Sequence, residues 1–231
     1  SDVHAGGALR VAQVIQKSSK VGAAKIALDL PAQAMWQIFA ASGFGSVPNS
    51  GFPGEGSGRL RPYQKWKPIE QATMSYGHGM WVRLLQLGRA YTIFANDGEL
   101  KAVTLLKREE PEAGTQVVSA ATARSLRSML ELAVQTGGTA PRAQVAGYRV
   151  AGKTGTAHKL ENGRYAPSKY VSSFVGFAPA SEPRIIVAVM IDEPSAGQHY
   201  GGAVAAPVFR EVVSATLRAL SVPPDAPMIN V

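Results

Sequence analysis

The sequence predicts an α+β domain in which helices come first and an antiparallel sheet follows. Three observations carry this: apolar residues recur at helical spacing through most of the first half, the last ninety or so residues favour strands and hairpin turns, and no regular strand–helix alternation suggests a doubly wound parallel sheet. From about Leu9 to Leu30 the apolar positions Leu9, Val11, Val14, Ile15, Val21, Ile26 and Leu28 predict a helix interrupted near Ser18-Ser19. Pro31 opens a second helix, Ala32 to Ala41, which Gly43 stops. Gly43 to Pro68 is rich in glycine and proline and has little periodicity, so it reads as a long irregular loop pinned by Phe44, Phe52, Tyr63 and Trp66. Helical spacing returns from Ile69 to Asn96, with Leu84, Leu87, Tyr91 and Phe94 on one face, and Asn96-Asp97-Gly98 ends it. A strand over Leu100 to Lys107 and an acidic turn at Glu109 to Glu112 precede a helix over Ser119 to Thr136. That helix has Ser119 as N-cap, Leu126, Met129, Leu130 and Ala133 as buried stripe, and Gly137-Gly138 as stop.

The second half reads as sheet. Tyr148-Arg149-Val150 leads into Lys153 to Ala157, Glu161-Asn162-Gly163-Arg164 is a hairpin turn whose Asn-Gly pair tolerates positive φ, and Tyr170 to Phe177 and Arg184 to Asp192 are two further strands joined by Pro179 to Pro183. A helix over Ala206 to Leu220 closes the domain before a proline-rich tail.

Composition narrows the function. With 231 residues, 45% hydrophobic and 17% charged, the chain can bury a sizeable core and is neither fibrous nor disordered. Its longest apolar run, Ile185 to Ile191, falls short of the roughly 20 residues of a membrane-spanning helix, and the opening Ser1-Asp2-Val3-His4 is not a signal peptide; a soluble chain is expected. The absence of cysteine removes disulfides, thiolate catalysis and cysteine-held metal clusters. Four scattered histidines have no ligand spacing, so no metal and no cofactor is expected. The net charge of +8 is spread out; its densest places, Arg59-Leu60-Arg61 with Lys65 and Lys67, and Lys17 to Lys25, form no block of five like charges. They read as solvated surface, and a nucleic-acid partner is not expected. Trp36, Trp66 and Trp81 read as packing residues, and Asp192-Glu193-Pro194 as a turn.

Gly147-Tyr148-Arg149-Val150-Ala151-Gly152-Lys153-Thr154 matches the phosphate-loop pattern formally. A phosphate loop must run into a helix after its threonine, whereas Gly155 and the following hairpin signal continue as strand, which argues against nucleotide binding. Lys153-Thr154-Gly155 is also the third element of the penicillin-binding and β-lactamase signature. Beside it stand Ser18-Ser19-Lys20-Val21-Gly22, Gly51-Phe52-Pro53-Gly54-Glu55, Ala72-Thr73-Met74-Ser75-Tyr76-Gly77, and Tyr200-Gly201-Gly202 with Ala206-Pro207-Val208-Phe209. Together, in collinear order over nearly the whole chain, these strings resemble class B penicillin-binding proteins, most of all the division-specific, FtsI-like peptidoglycan D,D-transpeptidases. The strings at Gly51 to Glu55 and Thr73 to Gly77 favour this family over the β-lactamases.

The resemblance implies a penicillin-binding/β-lactamase-like transpeptidase fold, an antiparallel sheet packed with helices, of which residues 1–231 form the C-terminal portion of a single transpeptidase domain. It implies a serine that attacks the D-Ala-D-Ala bond of a peptidoglycan stem peptide, releases D-alanine and passes the acyl group to an amine on a neighbouring stem. By resemblance, Ser18 and Lys20 stand in the second catalytic motif, Ser18 helping to move protons, and Lys153 supplies a positive potential beside it. Thr154 and Thr156, with Gly155 between them, would bind the carboxylate of substrate or β-lactam, and His158, Tyr170, His199 and Tyr200 would line the groove. The implied partners are peptidoglycan stem peptides, β-lactams and, through the parent protein, division-site membrane proteins. The implied location is the periplasm, with the parent anchored in the bacterial inner membrane.

The strand alternation puts Thr154 and Thr156 on one face and Lys153 and Gly155 on the other, so a local twist is expected if Lys153 is to reach the same site. Two departures from the family pattern stand out. No serine is followed three residues later by lysine, so the nucleophile and its lysine base are not in this chain. Lysine also stands at position 20, where the family has asparagine; an ammonium only donates hydrogen bonds, whereas an amide both donates and accepts. The competing expectation is a non-catalytic scaffold or binding module that has lost its chemistry.

Overall fold

In the computed structural model, residue 2 and residues 7–110 and 112–227 are described. The chain forms two compact units, Ser1–Arg124 and Ser125–Val231.

The first unit is mainly helical. The expected interrupted helix is two helices, α1 (Val11–Gln16) and α2 (Lys20–Leu28). The break is chemical: Ser18 takes a left-handed backbone, φ 54°, and Ser19 becomes the N-cap of α2, its Oγ accepting the Gly22 amide at 2.9 Å. Gly22 lets the two helices approach, since a Cβ there would lie 2.6 Å from a Val14 methyl. Ser19 is buried and also donates to the Asp2 carboxylate at 2.5 Å. Ser19→Ala is expected to lower stability by about 1 kcal/mol, read as a shifted urea midpoint at unchanged slope. An unchanged midpoint would show that water replaces the cap.

The helix α3 (Ala32–Ala41) has the predicted bounds, with Pro31 at its N-cap. It packs with α2 and α4 (Pro68–Met74) around Ala27, Met35 and Met74, and Phe39, Trp66 and Met80 border that core. Gln71 on α4 donates to the carbonyls of Ala27 and Leu30 at 2.7 and 2.8 Å, satisfying orphan groups at the end of α2. The loop over residues 43–68 is irregular as predicted apart from a 3₁₀ turn, Tyr63–Lys65. Phe52, expected to pin it, is instead 62% exposed at its tip.

Two further sequence readings fail here. The helix predicted over Ile69 to Asn96 is three short helices, α4, α5 (Leu84–Ala90) and α6 (Thr92–Ala95), because Gly77 and Gly79 take positive φ and turn the chain between the first two. The strand predicted over Leu100 to Lys107 shrinks to β1 (Glu99–Leu100), paired with β2 (Thr115–Gln116). Residues beyond Leu100 have strand composition but no partner in that sheet, and extended backbone without a partner gains no ladder hydrogen bonds.

The division between units falls within α7 (Ala120–Val134), whose first turn is capped as predicted by Ser119 Oγ accepting the Thr122 amide at 3.1 Å. The second unit is an antiparallel meander, β3 (Ala151–Glu161), β4 (Arg164–Ala178) and β5 (Ile185–Asp192), in that spatial order. Asn162 and Gly163 both take positive φ, 51° and 77°, and close the predicted hairpin with Glu161 opposite Arg164. The helix α9 (Ala206–Ala219) lays Ala206, Phe209, Val213 and Leu217 against the sheet at three- and four-residue spacing. Phe209 meets Phe174 of β4 edge to face at 4.7 Å, both fully buried, which adds roughly 0.5–1.5 kcal/mol to their burial. This rigid core fixes the strand that carries Lys153.

Candidate active site

Ala151 to Ala157 lie within β3, on regular antiparallel pairs with β4 that include Lys153 opposite Val175, Thr154 opposite Phe174 and Gly155 opposite Ser173. Gly152 and Lys153 are therefore strand residues and no helix follows Thr154, so the phosphate-loop match has no cradle behind it. Gly152 is required by packing: a Cβ would lie 2.5 Å from the Phe174 ring and 2.8 Å from the Val175 carbonyl oxygen.

Lys153 Nζ donates to its neighbour's Thr154 Oγ1 at 3.1 Å and lies 3.3 Å from the Thr154 carbonyl oxygen. Four methylenes let the amine curl around the strand to the threonine face, while the backbone keeps its regular register. Burial pushes the Lys153 ammonium down to about 8, because desolvation disfavours the charged form and no carboxylate among the described residues offsets it.

The threonine face is closed by elements distant in sequence. Thr154 Oγ1 and Thr139 Oγ1 share a hydrogen bond at 2.9 Å, and Thr156 Oγ1 accepts the Gly201 amide at 3.0 Å. Gly201 opens the short helix α8 (Gly201–Val204), and here the Tyr200-Gly201-Gly202 string finds its reason. A Cβ on Gly201 would lie 2.2 Å from the Ser173 carbonyl oxygen and 2.6 Å from that of Gly155; one on Gly202 would lie 2.1 Å from that of Thr139. Only glycines allow this turn to sit on the strands.

At the far end, His158, Tyr170, His199 and Tyr200 form one continuous row of rings. His158 lies 4.5 Å from Tyr170, Tyr170 stacks on His199 at 4.0 Å and 13°, and His199 lies 4.4 Å from Tyr200. His158 and Tyr170 are a cross-strand pair, and fully buried Ser172 positions His199 by donating to its carbonyl. Lys159 bridges Asp192 at 2.9 Å and Glu193 at 2.6 Å, tying the β3–β4 ribbon to the loop after β5. Exposed pairs of this kind add little stability, and their effect here is positional. Glu193 has φ 51°, in keeping with the predicted turn.

Ser18 and Lys20 belong to the first unit. Both are exposed, and the Lys20 amine lies 5.9 Å from the Tyr76 ring centroid, so the second-motif turn and the Thr73 to Gly77 string meet. Ser19 is structural. Asp2 accepts from Ser19 and from the Val21 amide, which holds its carboxyl below the usual range. Thr139, Ser172 and the cap function of Ser19 escaped sequence reasoning. The first two act through partners 15 and 27 residues away, which no local pattern encodes.

This geometry offers an ammonium and two hydroxyls along a strand, flanked by a row of rings. Among the described strands β3 pairs only with β4, so its second edge keeps backbone groups available to an extended ligand. The family model for the penicillin binding protein transpeptidase domain matches residues 2–214. The chain is 46% identical over 229 residues to a probable peptidoglycan D,D-transpeptidase PenA of Neisseria flavescens, covering 99% of this chain and 57% of that protein. It is 40% identical over 226 residues to peptidoglycan D,D-transpeptidase FtsI of Escherichia coli strain K12, covering 97% of this chain and 38% of that protein. The apo structure of the TP domain of Burkholderia pseudomallei penicillin-binding protein 3 superposes with a TM-score of 0.94 at 52% identity, covering 98% of this chain and 69% of that one. The chain thus spans well under two thirds of the length of these two curated relatives. On the family match, the collinear motifs and the shared fold, the chain belongs to the penicillin-binding protein transpeptidase family, class B, among relatives named peptidoglycan D,D-transpeptidase.

Proposed function

We propose that the chain is the C-terminal portion of a single peptidoglycan D,D-transpeptidase domain, working by serine acyl transfer in septal wall synthesis. The observation that carries this reading is the Lys153 amine, desolvated and held 3.1 Å from the Thr154 hydroxyl on a strand whose second edge pairs with no other described strand. In this reading Lys153, Thr154 and Thr156 receive the terminal carboxylate of a stem peptide or of a β-lactam that lies along β3, while Gly155 makes room for the Ser173 hydroxyl on the paired strand, which would lie 2.5 Å from a Cβ there. His158, Tyr170 and Tyr200 face the remainder of the ligand. The attacking serine belongs to a part of the protein outside these 231 residues. Its Oγ adds to the penultimate D-alanine carbonyl, the C–N bond breaks, and the proton that the serine hydroxyl gives up passes to the departing D-alanine amine. An amine of a second stem then displaces the serine. The parent protein would be held at the periplasmic face of the inner membrane among division proteins.

The test is intact mass of the full-length protein and of the 231-residue chain, each incubated with a penicillin. A covalent adduct on the full-length protein and none on the chain is the expected result. Lys20→Asn in the full-length protein is expected to speed acylation roughly tenfold, the worth of one regained hydrogen bond.

A second reading, a scaffold that binds stem peptides without reacting, is favoured by one observation, the donor-only Lys20 at the second-motif turn. No adduct on either protein, with Lys20→Asn failing to restore one, would replace the first reading with this one.

A further inference from the structure

The basic stretch from Arg59 onward is not used by the chemistry above. We infer that Arg59, Arg61, Trp81 and Arg83, all in the first unit, form a second binding surface for peptidoglycan, taking a sugar ring on the indole and stem-peptide carboxylates on the guanidiniums. This rests on the reading that the protein works on peptidoglycan.

Arg59 and Trp81 form an isolated antiparallel bridge, with the Arg59 amide donating to the Trp81 carbonyl at 2.7 Å and the Trp81 amide to the Arg59 carbonyl at 3.0 Å. Directly opposed residues project their side chains from the same face. Trp81 is 66% exposed in this chain, which leaves a flat amphipathic ring open for stacking. Cations flank it along the ribbon. Arg61 stands level with Gly79, where a Cβ would lie 3.8 Å from its guanidinium; Arg83 lies against Gly56, where a Cβ would lie 2.8 Å from its Nε. Arg61 pairs with Glu70 at 2.7 Å, while Arg59 and Arg83 are exposed and make no ion pair among the described residues.

The surface is rigid from below. The buried Gln86 amide donates to the Ser46 and Ser57 carbonyls at 2.6 and 2.8 Å, and its oxygen accepts the Arg83 amide at 2.8 Å, fixing both strands of the ribbon. Gly58 allows the close pairing, since a Cβ there would lie 2.2 Å from the Trp81 carbonyl oxygen. The fixed backbone of the ribbon holds the indole and the three arginines within reach of one ligand, so the backbone needs little ordering on binding. Charge complementarity selects an anionic ligand, and a ring platform with cations spaced along an extended ribbon fits a linear polymer that carries both rings and carboxylates.

The experiment is co-sedimentation of the full-length protein, its reactive site already blocked with penicillin, with purified peptidoglycan sacculi at two salt concentrations. Trp81→Ala is expected to weaken binding roughly tenfold, Trp81→Phe less than threefold, and Arg59→Gln with Arg83→Gln roughly tenfold with a shallower salt dependence. The penicillin acylation rate should stay within twofold, which also shows that the variants fold. Sedimentation of Trp81→Ala equal to that of the parent, or loss of all binding once penicillin is bound, would overturn the inference. So would Trp81-dependent binding to phosphatidylglycerol vesicles with no Trp81 effect on sacculi, which would make the surface a lipid contact. If the parent protein is not acylated at all, the proposed function has failed; if it is acylated and Trp81→Ala sediments normally, only this inference has.

Discussion

Lys153→Ala in the full-length protein is expected to lower the second-order rate of penicillin acylation by roughly 10²–10³-fold, the loss that follows removal of one preorganised electrostatic group from a desolvated site. Among the described residues the amine has no carboxylate partner and its hydrogen bonds go to Thr154, so in the proposed site an incoming carboxylate would be its counter-charge. With the ammonium pushed down to about 8 by burial, the acylation rate should be level below that pH and fall as pH rises through it, because the proton that attracts the carboxylate is lost. Lys153→Arg should keep part of the rate and lose the alkaline limb, since guanidinium stays charged throughout. Stability should move the opposite way. The folded state gives up this proton at about 8 while the unfolded chain keeps it to about 10.4, so the cost of the buried charge is present below pH 8 and is relieved between the two values. An acylation rate flat from pH 7 to 10, or a Lys153→Ala loss under threefold, would remove Lys153 from the site.

The second large effect is expected at Gly201. Adding one methyl group, Gly201→Ala, sets a carbon 2.2 Å from one carbonyl oxygen and 2.6 Å from another, both backbone atoms of paired strands. Neither β3 nor β4 can yield without breaking its ladder, so the α8 turn must lift. That breaks the Gly201 amide bond to Thr156 and disturbs the adjacent Tyr200 ring. A loss of about 3 kcal/mol is expected, at the upper end for overpacking because the clash is with backbone. It would be read from urea unfolding, with acylation falling as Thr156 loses its donor. Alanine at the solvent-open Gly197, which unlike Gly201 sits at positive φ, is the contrast, with about 1 kcal/mol of backbone strain and no clash. If Gly201→Ala costs no more than Gly197→Ala, the turn is free to shift and does not hold Thr156.

What the sequence determined by itself is the part of the protein written in short-range chemistry. Pro31 and Gly43 delimit α3, Ser119 caps α7 and Asn162-Gly163 closes the β3–β4 hairpin, each within a few residues of its cause, and the closing helix over Ala206 to Leu220 is found as α9. The motif strings, in collinear order, were enough for the family. Tertiary structure decided the rest, because it depends on partners far along the chain. Leu100 to Lys107 has strand composition, yet only Glu99–Leu100 pairs, since a ladder needs a neighbour and composition cannot provide one. The helical period from Ile69 to Asn96 was real in pieces, but Gly77 and Gly79 could turn it at positive φ and packing chose that they should. In the candidate site the sequence supplied Lys153, Thr154 and Thr156 as residue types. The curl of the lysine onto the threonine face, the Thr139 and Gly201 bonds that fix the hydroxyls, and the row of rings from His158 to Tyr200 exist only once β3, β4 and the α8 turn are pressed together. Hydrogen bonds and ring contacts act over a few ångströms of space, and the residues that make them here are as much as 45 positions apart in sequence.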